Sequence, residues 1–392
     1  MFRRLVERHG WFGEREHADG VVISLRRGHS SITLEPGAQF ELSGAPLETV
    51  HETCTEFRGH MAELADISEE LGLSWLGLGF HPLASADDLP WVPKLRYGVM
   101  REYLPTRGSM ALDMMRRTAT VQANLDFSDE QDAIRKLRLA LRASPIVTAM
   151  FANSPFVEGR ATGERSRRAR VWLHMDPDRS GLLPFAWEEH MSYRRYVEWA
   201  LDVPMFMLKR EGRALLNTGQ TFRAFLDDGF EGARATMSDW EIHVNTLFPE
   251  ARLKNTLEVR SADGQSTDMT CALPALWKGL LYDASAMSKA ETLLEPLRFE
   301  EVQGSREHIA DRGLRATLAG REVAEWASEL LDAAETGLRH LSNLSSSGDD
   351  ETVHLARLRE RVSRASTPAD DLLDRIDAAA PLLPQLLEHA QV

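Results

Sequence analysis

The amino-terminal part of the chain changes from an alternating to a helical spacing of apolar positions. Residues Gly20 to Leu42 predict a β-hairpin, in which Val21 to Ile23 lead into an Arg-Arg-Gly-His turn and SITLEPGAQFEL returns. From Pro46 the apolar positions fall three or four residues apart, which predicts a helix that ends at Gly72. Its apolar stripe is Val50, Cys54, Phe57, Met61, Leu64, Ile67 and Leu71. The run LSWLGLGF that follows predicts a short buried strand.

The middle of the chain mixes both spacings. Residues 119–127 alternate strictly and predict a strand. Ser128, with Gln131 three residues on, predicts the capped start of a helix that ends at Pro145. Further strands are predicted at 168–174 and 256–260. Because these segments do not repeat as βαβ units, the pattern favours an α+β fold with antiparallel pairing.

From about Lys289 the pattern becomes helical. An apolar stripe runs through residues 323–341, and the pair Thr367-Pro368 is typical of a helix start. We therefore expect an α+β domain over residues 1–288 and a helical region over residues 289–392 that packs on it.

Composition narrows the class of protein. The chain has 392 residues, 43% of them hydrophobic, and a net charge of −14, which indicates a globular protein. The negative charge argues against nucleic acid or an anionic membrane as a partner. The two cysteines, Cys54 and Cys271, cannot form a disulfide framework, and no signal-peptide or membrane-spanning run is present. We expect a reduced, cytoplasmic protein.

The segment 35–42 offers carboxylates on a strand. In an extended chain Gln39 and Glu41 point to one face while Phe40 and Leu42 point to the other, with Glu35 at the entry. Carboxylates that share a sheet face suit Mg²⁺, which prefers oxygen ligands. A solvated sheet face is the simpler interpretation of these residues taken alone.

The strand at 119–127 has an unusual polar face, formed by Thr120, Gln122, Asn124 and Asp126. Asn and Asp are disfavoured in strands, so a functional face and a solvent-facing edge are equally good interpretations.

Glu258 and Arg260 share one face of the strand at 256–260. They either pair with neighbouring strands or serve as a metal ligand and a clamp for a substrate anion, respectively.

An arginine-rich segment lies in this otherwise acidic chain, between Gly159 and Trp172. Such a cluster suits a phosphate or carboxylate ligand, although a solvated loop accounts for most of its members. The arginines are Arg160, Arg165, Arg167, Arg168 and Arg170. The chain has neither a G-x-x-x-x-G-K-[ST] loop nor a G-x-G-x-x-G fingerprint, and neither C-x-x-C nor H-E-x-x-H. His243 is expected to pack within a helix.

Several longer strings resemble the glutamate–cysteine ligase family of plants and many proteobacteria. They run in family order from about residue 20 to residue 285, and TPADDLLDRI extends the resemblance near the end. They are SITLEPGAQFELSGAPLETVHETC, MALDMMRRTATVQANLDFSDE, ANSPFVEG, DRSGLLPFAWEE, WALDVPMF, TGQTFRAFL, DWEIHVNTLFPEARLKNTLEVRSADG and CALPALWKGLLYD. The resemblance implies a curved antiparallel sheet of about six strands, a glutamine-synthetase-like bowl, in which ATP converts glutamate to a γ-glutamyl phosphate that the amine of cysteine attacks.

The resemblance also implies roles for particular residues. Mg²⁺ would be held by Glu35, Glu41 and Glu258. Gln122 and Asn124 would contact the ATP phosphates or metal-bound oxygens. Arg260 would stabilise the transferring phosphoryl group or bind glutamate, with Glu258 beside it in the catalytic centre. Arg168 would bind the glutamate carboxylate next to Trp172. The implied partners are L-glutamate, L-cysteine and ATP, in a monomer or homodimer.

The chain departs from the family in three respects. Members begin with a G-x-E-x-E strand whose glutamates bind metal, whereas Met1 aligns within the helix that follows it. Ala169-Arg170 replaces the Ser-His of the plant enzymes, which leaves another amine acceptor open. The plant enzymes use cysteine pairs for redox control, and we expect no disulfide switch between Cys54 and Cys271. A catalytically impaired, substrate-binding paralogue is the remaining alternative.

Overall fold

A computed structural model describes residues 1–15, 20–210 and 213–392. The strands are β1 Phe12–Arg15, β2 Val22–Arg27, β3 Ser30–Leu34, β4 Phe40–Ser43, β5 Thr120–Leu125, β6 Phe156–Val157, β7 Arg160–Ala161, β8 Ser180–Gly181, β9 Met207–Arg210, β10 Arg213–Leu216, β11 Phe248–Pro249, β12 Ala251–Leu253, β13 Leu257–Asp263, β14 Thr317–Leu318 and β15 Arg321–Glu322.

Helices connect and cover these strands. The α-helices are α1 Phe2–His9, α2 Val50–Leu71, α3 Leu95–Tyr103, α4 Ala111–Arg117, α5 Glu130–Met150, α6 Arg167–Leu173, α7 Tyr193–Asp202, α8 Phe222–Asp228, α9 Met237–Val244, α10 Thr267–Thr270, α11 Ala272–Leu281, α12 Ala284–Leu294, α13 Phe299–Arg312, α14 Val323–Leu341, α15 Ala356–Ser363, α16 Pro368–Arg375 and α17 Leu382–His389. Short 3-10 helices are Leu104–Thr106, Pro184–Trp187, Gly313–Arg315 and Glu351–Leu355.

The first sheet contains the predicted hairpin. Its antiparallel order is β1-β2-β3-β4, and β2 and β3 meet at a turn in which Gly28 has φ 59°. The predicted return segment forms two strands, because the chain turns between Glu35 and Gln39, whose backbone N and O are 2.9 Å apart. Gln39 therefore precedes β4 instead of lying within it.

The second sheet contains the two polar-faced strands and has the antiparallel order β12-β13-β5. Glu258 lies opposite Asn124, and Val259 lies opposite Ala123. Ala123, Leu125 and Val259 are buried in the same core as the inner face of α5. The predicted α+β class is confirmed, with these strands placed in sheets of four and three instead of one sheet of six.

Several predicted boundaries were wrong for local reasons. Helix α2 begins at Val50, because Thr49 and Glu52 form a capping box in front of it. Helix α5 is capped by Asp129 and continues through Pro145 to Met150. The run LSWLGLGF makes isolated bridges, Leu76 to Gln391 and Phe80 to Thr118, instead of a strand.

The segment predicted as a strand at 168–174 is helix α6. Ser166 caps it by accepting a hydrogen bond from the backbone N–H of Ala169, at 3.0 Å. Its apolar residues Val171 and Trp172 suited a strand as well as a helix, and this cap decided between them. His243 is buried within α9, as predicted, with Nε2 2.7 Å from the carbonyl oxygen of Ala200.

The carboxy-terminal helices share the main core with the second sheet. One continuous cluster of buried residues extends from Val50 to Val362 and includes both β13 and α14. Helices α11 and α14 approach closely at Gly279 and Gly337, where an added Cβ would collide with backbone of the facing helix. The domain boundary at residue 288 stays a prediction. Among residues 1–15, 20–210 and 213–392, none of the helices combines the length and the apolar character that a membrane span requires.

The two cysteines are paired, contrary to expectation. Cys54 of α2 and Cys271 at the start of α11 form a disulfide with a Cα–Cα distance of 5.8 Å. They are 217 residues apart in sequence, so only the packing of the two helices reveals their proximity. The prediction that these cysteines remain reduced was wrong.

Candidate active site

The charged centre of the site lies on β13. Arg260 donates from Nη1 to Glu258 Oε1 over 2.8 Å, and Arg252 donates from Nε to Glu258 Oε2 over 2.7 Å. Arg252 lies on β12 directly opposite Glu258. Lys254 adds a third cation 3.9 Å from Glu258 Oε2. The carboxylate therefore lies among three positive charges.

These cations decide the ionisation of Glu258, which is 5% exposed. Burial by itself would raise its pKa, but the charges of Arg260, Arg252 and Lys254 lower the pKa to about 2. Glu258 is therefore ionised at neutral pH.

Two further carboxylates of the predicted set belong to the first sheet and the turn before β4. Glu35 accepts a hydrogen bond from the Tyr97 hydroxyl over 3.2 Å. Glu41 is solvent-accessible, yet its pKa is raised to about 7 by loss of hydration among surrounding protein atoms and by the negative charges of Glu35 and Glu258. The charges of Glu35, in the turn before β4, and of Glu258, on β13, therefore both act on Glu41.

Gln39, predicted to share the polar face with Glu41, has a different role. Its Oε1 accepts from the backbone N–H of Gly37, and its Nε2 donates to the carbonyl oxygens of Met115 and Thr118. This side chain connects the turn to the end of α4 and does not face the carboxylates.

The polar face of β5 borders the same centre. Gln122 Oε1 accepts from Arg260 Nη1 over 3.4 Å, and Asn124 Oδ1 accepts from the Thr256 hydroxyl over 3.2 Å. Asp126 lies beyond the end of β5, where it accepts from the hydroxyl of Tyr282. Gln122 and Asn124 are thus placed toward β13, while Asp126 is not.

A small cavity lies between β13 and α6. Arg168 is 4% exposed and donates from Nη2 to the carbonyl oxygen of Arg260 over 2.7 Å. The Arg260 guanidinium is 5.8 Å from the ring centroids of both Trp172 and Phe248. Arg168 Nε and Trp172 Nε1 are buried and have no hydrogen-bond partner among the described residues. One donor of the Arg168 guanidinium and the indole N–H of Trp172 are therefore available to a ligand.

The arginines of the arginine-rich segment have different surroundings because part of the segment forms helix α6. Arg165 pairs with Asp370, Arg167 with Glu164, and Arg170 with Glu164 and Asp311. Arg160 lies on the exposed strand β7. Among these five arginines, all within the described ranges, Arg168 alone lines the cavity.

Several residues of the site were not predicted from the sequence. Arg252 on β12 and Lys254 directly after that strand alternate with Ala251 and Leu253, a signal that the string PEARLK carries. Asp263 has no such signal; its carboxylate accepts from Ser154, Ser166 and the backbone N–H of Asn153, which joins β13 to the loop before α6. Glu250 and Arg306 also line the cavity and form an ion pair.

The site defines a class of protein. Carboxylates, carboxamides and guanidiniums on antiparallel strands suit the binding of phosphates and a carboxylate substrate, as carboxylate–amine ligases require. The family model of glutamate-cysteine ligase family 2 matches residues 9–389, and the chain belongs to this family.

Two plant relatives agree with this assignment. The chain is 43% identical over 373 residues to glutamate–cysteine ligase B, chloroplastic, of Oryza sativa subsp. japonica, covering 94% of this chain and 74% of that protein. It is 42% identical over 377 residues to the chloroplastic glutamate–cysteine ligase of Arabidopsis thaliana, covering 95% and 71%. A solved structure of the Pup ligase PafA in complex with ADP covers 92% of this chain and 68% of that chain, with a TM-score of 0.42 and 13% identity.

The relatives correct the predicted location. The plant proteins above are named as chloroplastic enzymes, which contradicts the cytoplasmic assignment drawn from composition. The paired cysteines remove a further argument for it, because that assignment relied on their being reduced.

Proposed function

We propose that the chain is an ATP-dependent glutamate–cysteine ligase that forms γ-glutamylcysteine. Its membership of glutamate-cysteine ligase family 2, over residues 9–389, carries this proposal. An oxygen of the glutamate γ-carboxylate attacks the γ-phosphorus of ATP, and ADP leaves. The amine of cysteine then attacks the acyl carbon, expels phosphate and loses a proton.

The lining of the cavity beside β13 offers donors for the carboxylates of glutamate, although its volume of about 20 Å³ holds little more than one water molecule. Arg168 and Arg260 offer guanidinium donors, of which Arg168 Nε is unpartnered among the described residues. Trp172 offers an indole N–H and an apolar wall. Guanidiniums bind carboxylates with two parallel hydrogen bonds, so they orient as well as attract the substrate. We assign Arg168 and Trp172 to substrate binding, and Arg260 to the boundary between glutamate and the transferring phosphoryl group.

We assign Glu35, Glu41 and Glu258 to a divalent cation, although in the described part of the chain their oxygens do not converge within 4.8 Å of one another. The pKa of Glu41 is raised to about 7 partly because Glu35 and Glu258 are negative, so a cation among the three would relieve their repulsion. Bound Mg²⁺ would supply positive charge against the ATP phosphates. Arg252 and Arg260 donate to both oxygens of Glu258, and they keep this carboxylate ionised and oriented.

Gln122 and Asn124 are assigned to the phosphates of ATP. Their carboxamides lie on the β5 face that borders Arg260, and their N–H groups can donate to phosphate oxygens. Positioning and charge neutralisation account for most of the catalysis of phosphoryl transfer, and these neutral carboxamides would supply positioning.

The proposed activity is tested by phosphate release from ATP. Release should require glutamate, Mg²⁺ and cysteine together, and mass spectrometry should identify γ-glutamylcysteine. A folded preparation that binds ATP and glutamate but releases no phosphate would support the binding-protein alternative instead.

A ligase for another amine is the second candidate. Ala169, which replaces a serine of the plant pattern, lines the cavity, whereas Arg170 pairs with Glu164 and Asp311. Any change of acceptor is therefore assigned to the space beside Ala169. A panel of amines distinguishes the two candidates, because cysteine should give the highest kcat/KM if the first is right. Size-exclusion chromatography with light scattering would decide between monomer and homodimer.

A further inference from the structure

A second cluster of chemically reactive side chains lies where α2, α11 and the 3-10 helix Glu351–Leu355 meet. It contains Cys54, Cys271 and His354, whose ligand atoms all lie within 4.8 Å of each other. Cys54 Sγ is 3.6 Å from His354 Nδ1. None of the three residues lines the cavity beside β13. We propose that, when the disulfide is reduced, these three side chains bind a Zn²⁺ ion.

The donor set has the chemistry of a zinc site. Thiolates and imidazole are the ligands that Zn²⁺ takes most often, and two sulfurs with one nitrogen leave a fourth tetrahedral position for water. Cys54 is fully buried and Cys271 is 4% exposed, so an ion bound there would be shielded from competing ligands in solvent.

His354 has the support that a metal-binding histidine usually has. Its Nε2 is 3.0 Å from Nδ1 of His51, which lies one turn before Cys54 on α2. A single proton can be shared between these nitrogens, and when it resides on His354 Nε2 the lone pair of Nδ1 faces the sulfurs. A hydrogen bond to the second ring nitrogen commonly orients a ligand histidine in this way.

The three ligand-bearing elements are already held together by a separate contact. The buried carboxylate of Glu351 accepts from the backbone N–H of Val50 over 2.6 Å and from Lys278 Nζ over 2.8 Å. Glu351 thereby connects the 3-10 helix to α2 and α11 without using the cysteines. The cluster should keep its arrangement after the disulfide opens.

Reduction of the disulfide followed by zinc binding converts the first state of the cluster into the second. Two equivalents of a thiol reductant, or one dithiol, donate two electrons and two protons to the disulfide and become a disulfide themselves. Zn²⁺ then displaces one proton from each cysteine thiol. The disulfide and the zinc ion are thus alternative cross-links between α2 and α11 in oxidising and reducing surroundings.

Cobalt(II) is the probe for the test, because its thiolate complexes absorb strongly. The full chain is reduced, desalted without oxygen and titrated with Co²⁺. One equivalent should produce thiolate-to-cobalt charge-transfer and tetrahedral bands, and one equivalent of Zn²⁺ should remove them. C54S and C271S should abolish the charge-transfer bands, and H354A should weaken binding at least tenfold. H51A should weaken binding by about 10- to 100-fold, as loss of a supporting hydrogen bond does.

H340A is the matched control, because His340 pairs with Asp283 on the surface and lies outside the cluster; it should bind Co²⁺ like the unmodified chain. Circular dichroism and a thiol count accompany each titration to show a folded and reduced chain. The proposal is overturned if the folded, reduced chain gives no charge-transfer band, if its cysteines resist reduction in the folded state, or if H354A binds Co²⁺ as tightly as H340A.

Discussion

The guanidinium of Arg260 donates to the carboxylate of Glu258, two positions earlier on the same strand, over 2.8 Å. Both side chains point to the same face because strand residues alternate. Arg252 donates to the other carboxylate oxygen from the neighbouring strand. Glu258 therefore lies between two guanidiniums on the polar face of β13. Removal of its charge should affect both stability and activity.

Glu258→Gln should lower both quantities. Loss of the negative charge leaves Arg252 and Arg260 buried without a counter-charge, which should reduce the free energy of unfolding by about 3 kcal/mol. Phosphate release should fall by at least a hundredfold. Urea unfolding and the coupled assay measure the two effects. Glu325→Gln, on the exposed face of α14, is the control and should change neither. Unchanged activity in folded E258Q would refute a role for Glu258 in metal binding.

Glu41 should make stability depend on pH. Its folded-state pKa, about 7, lies above its ordinary value of 4.5, so its stabilising contribution is complete below pH 4.5 and is lost as pH rises through 7. The unmodified chain should therefore lose Tm relative to Glu41→Gln between pH 4.5 and 7, and the difference should be constant above about pH 8. Thermal unfolding with E325Q as control measures it. A difference that does not change with pH would contradict the crowding of carboxylates.

Mg²⁺ should act through the same carboxylates. At pH 8 it should raise the Tm of the unmodified chain more than that of E41Q, because the variant has one ligand fewer. At pH 5.5 the stabilisation should shrink, since Glu41 is then protonated. Equal stabilisation of both proteins by Mg²⁺ at pH 8 would place the metal elsewhere.

Arg168→Lys should raise the KM for glutamate about tenfold, equivalent to about 1.4 kcal/mol, because an ammonium cannot reproduce the planar guanidinium fork. Arg167→Lys is the matched control in the same helix, since Arg167 pairs with Glu164. Its KM should be unchanged. Steady-state kinetics with glutamate varied distinguishes the two variants, and equal effects would indicate a role for α6 as a whole rather than for Arg168.

The disulfide should be visible on a gel. Because Cys54 and Cys271 close a loop of 217 residues, the denatured, non-reduced chain should migrate faster than the reduced chain. C54S and C271S should both lose this difference, and under oxidising conditions their free energy of unfolding should fall by about 2–5 kcal/mol. Identical migration with and without reductant would contradict the pairing.

Alternation predicted β5 and β13 well, because each strand has one face buried against helices and one polar face. The same rule failed at Gln39, since the turn at Pro36-Gly37 moves that residue out of the strand before alternation applies. It failed also at 168–174, where a serine cap outweighed a short apolar run. The pattern within a segment indicates which residues share a face of a strand. Whether the segment forms a turn, a capped helix or a strand also depends on contacts with other segments.

Site residues that lie on one strand could be predicted together, whereas relationships between distant segments could not. Glu258 and Arg260 share a strand face and could be identified together. That Glu35 and Glu258 influence Glu41 depends on how the two sheets are arranged, and the pairing of Cys54 with Cys271 depends on helix packing. The spacing of residues along the sequence indicates neither relationship. The family resemblance supplied the carboxylate set, whereas packing had to supply the cysteine pair.

The close approach of α11 and α14 at Gly279 and Gly337 has a consequence for engineering. A methyl group at either position would push the helices apart and open the core that also holds β13. Shortening the chain before α14 would expose the same surface. The carboxy-terminal helices thus belong to the same folding unit as β13. A shortened chain that lacks them should fail to fold as a whole and accumulate as insoluble protein.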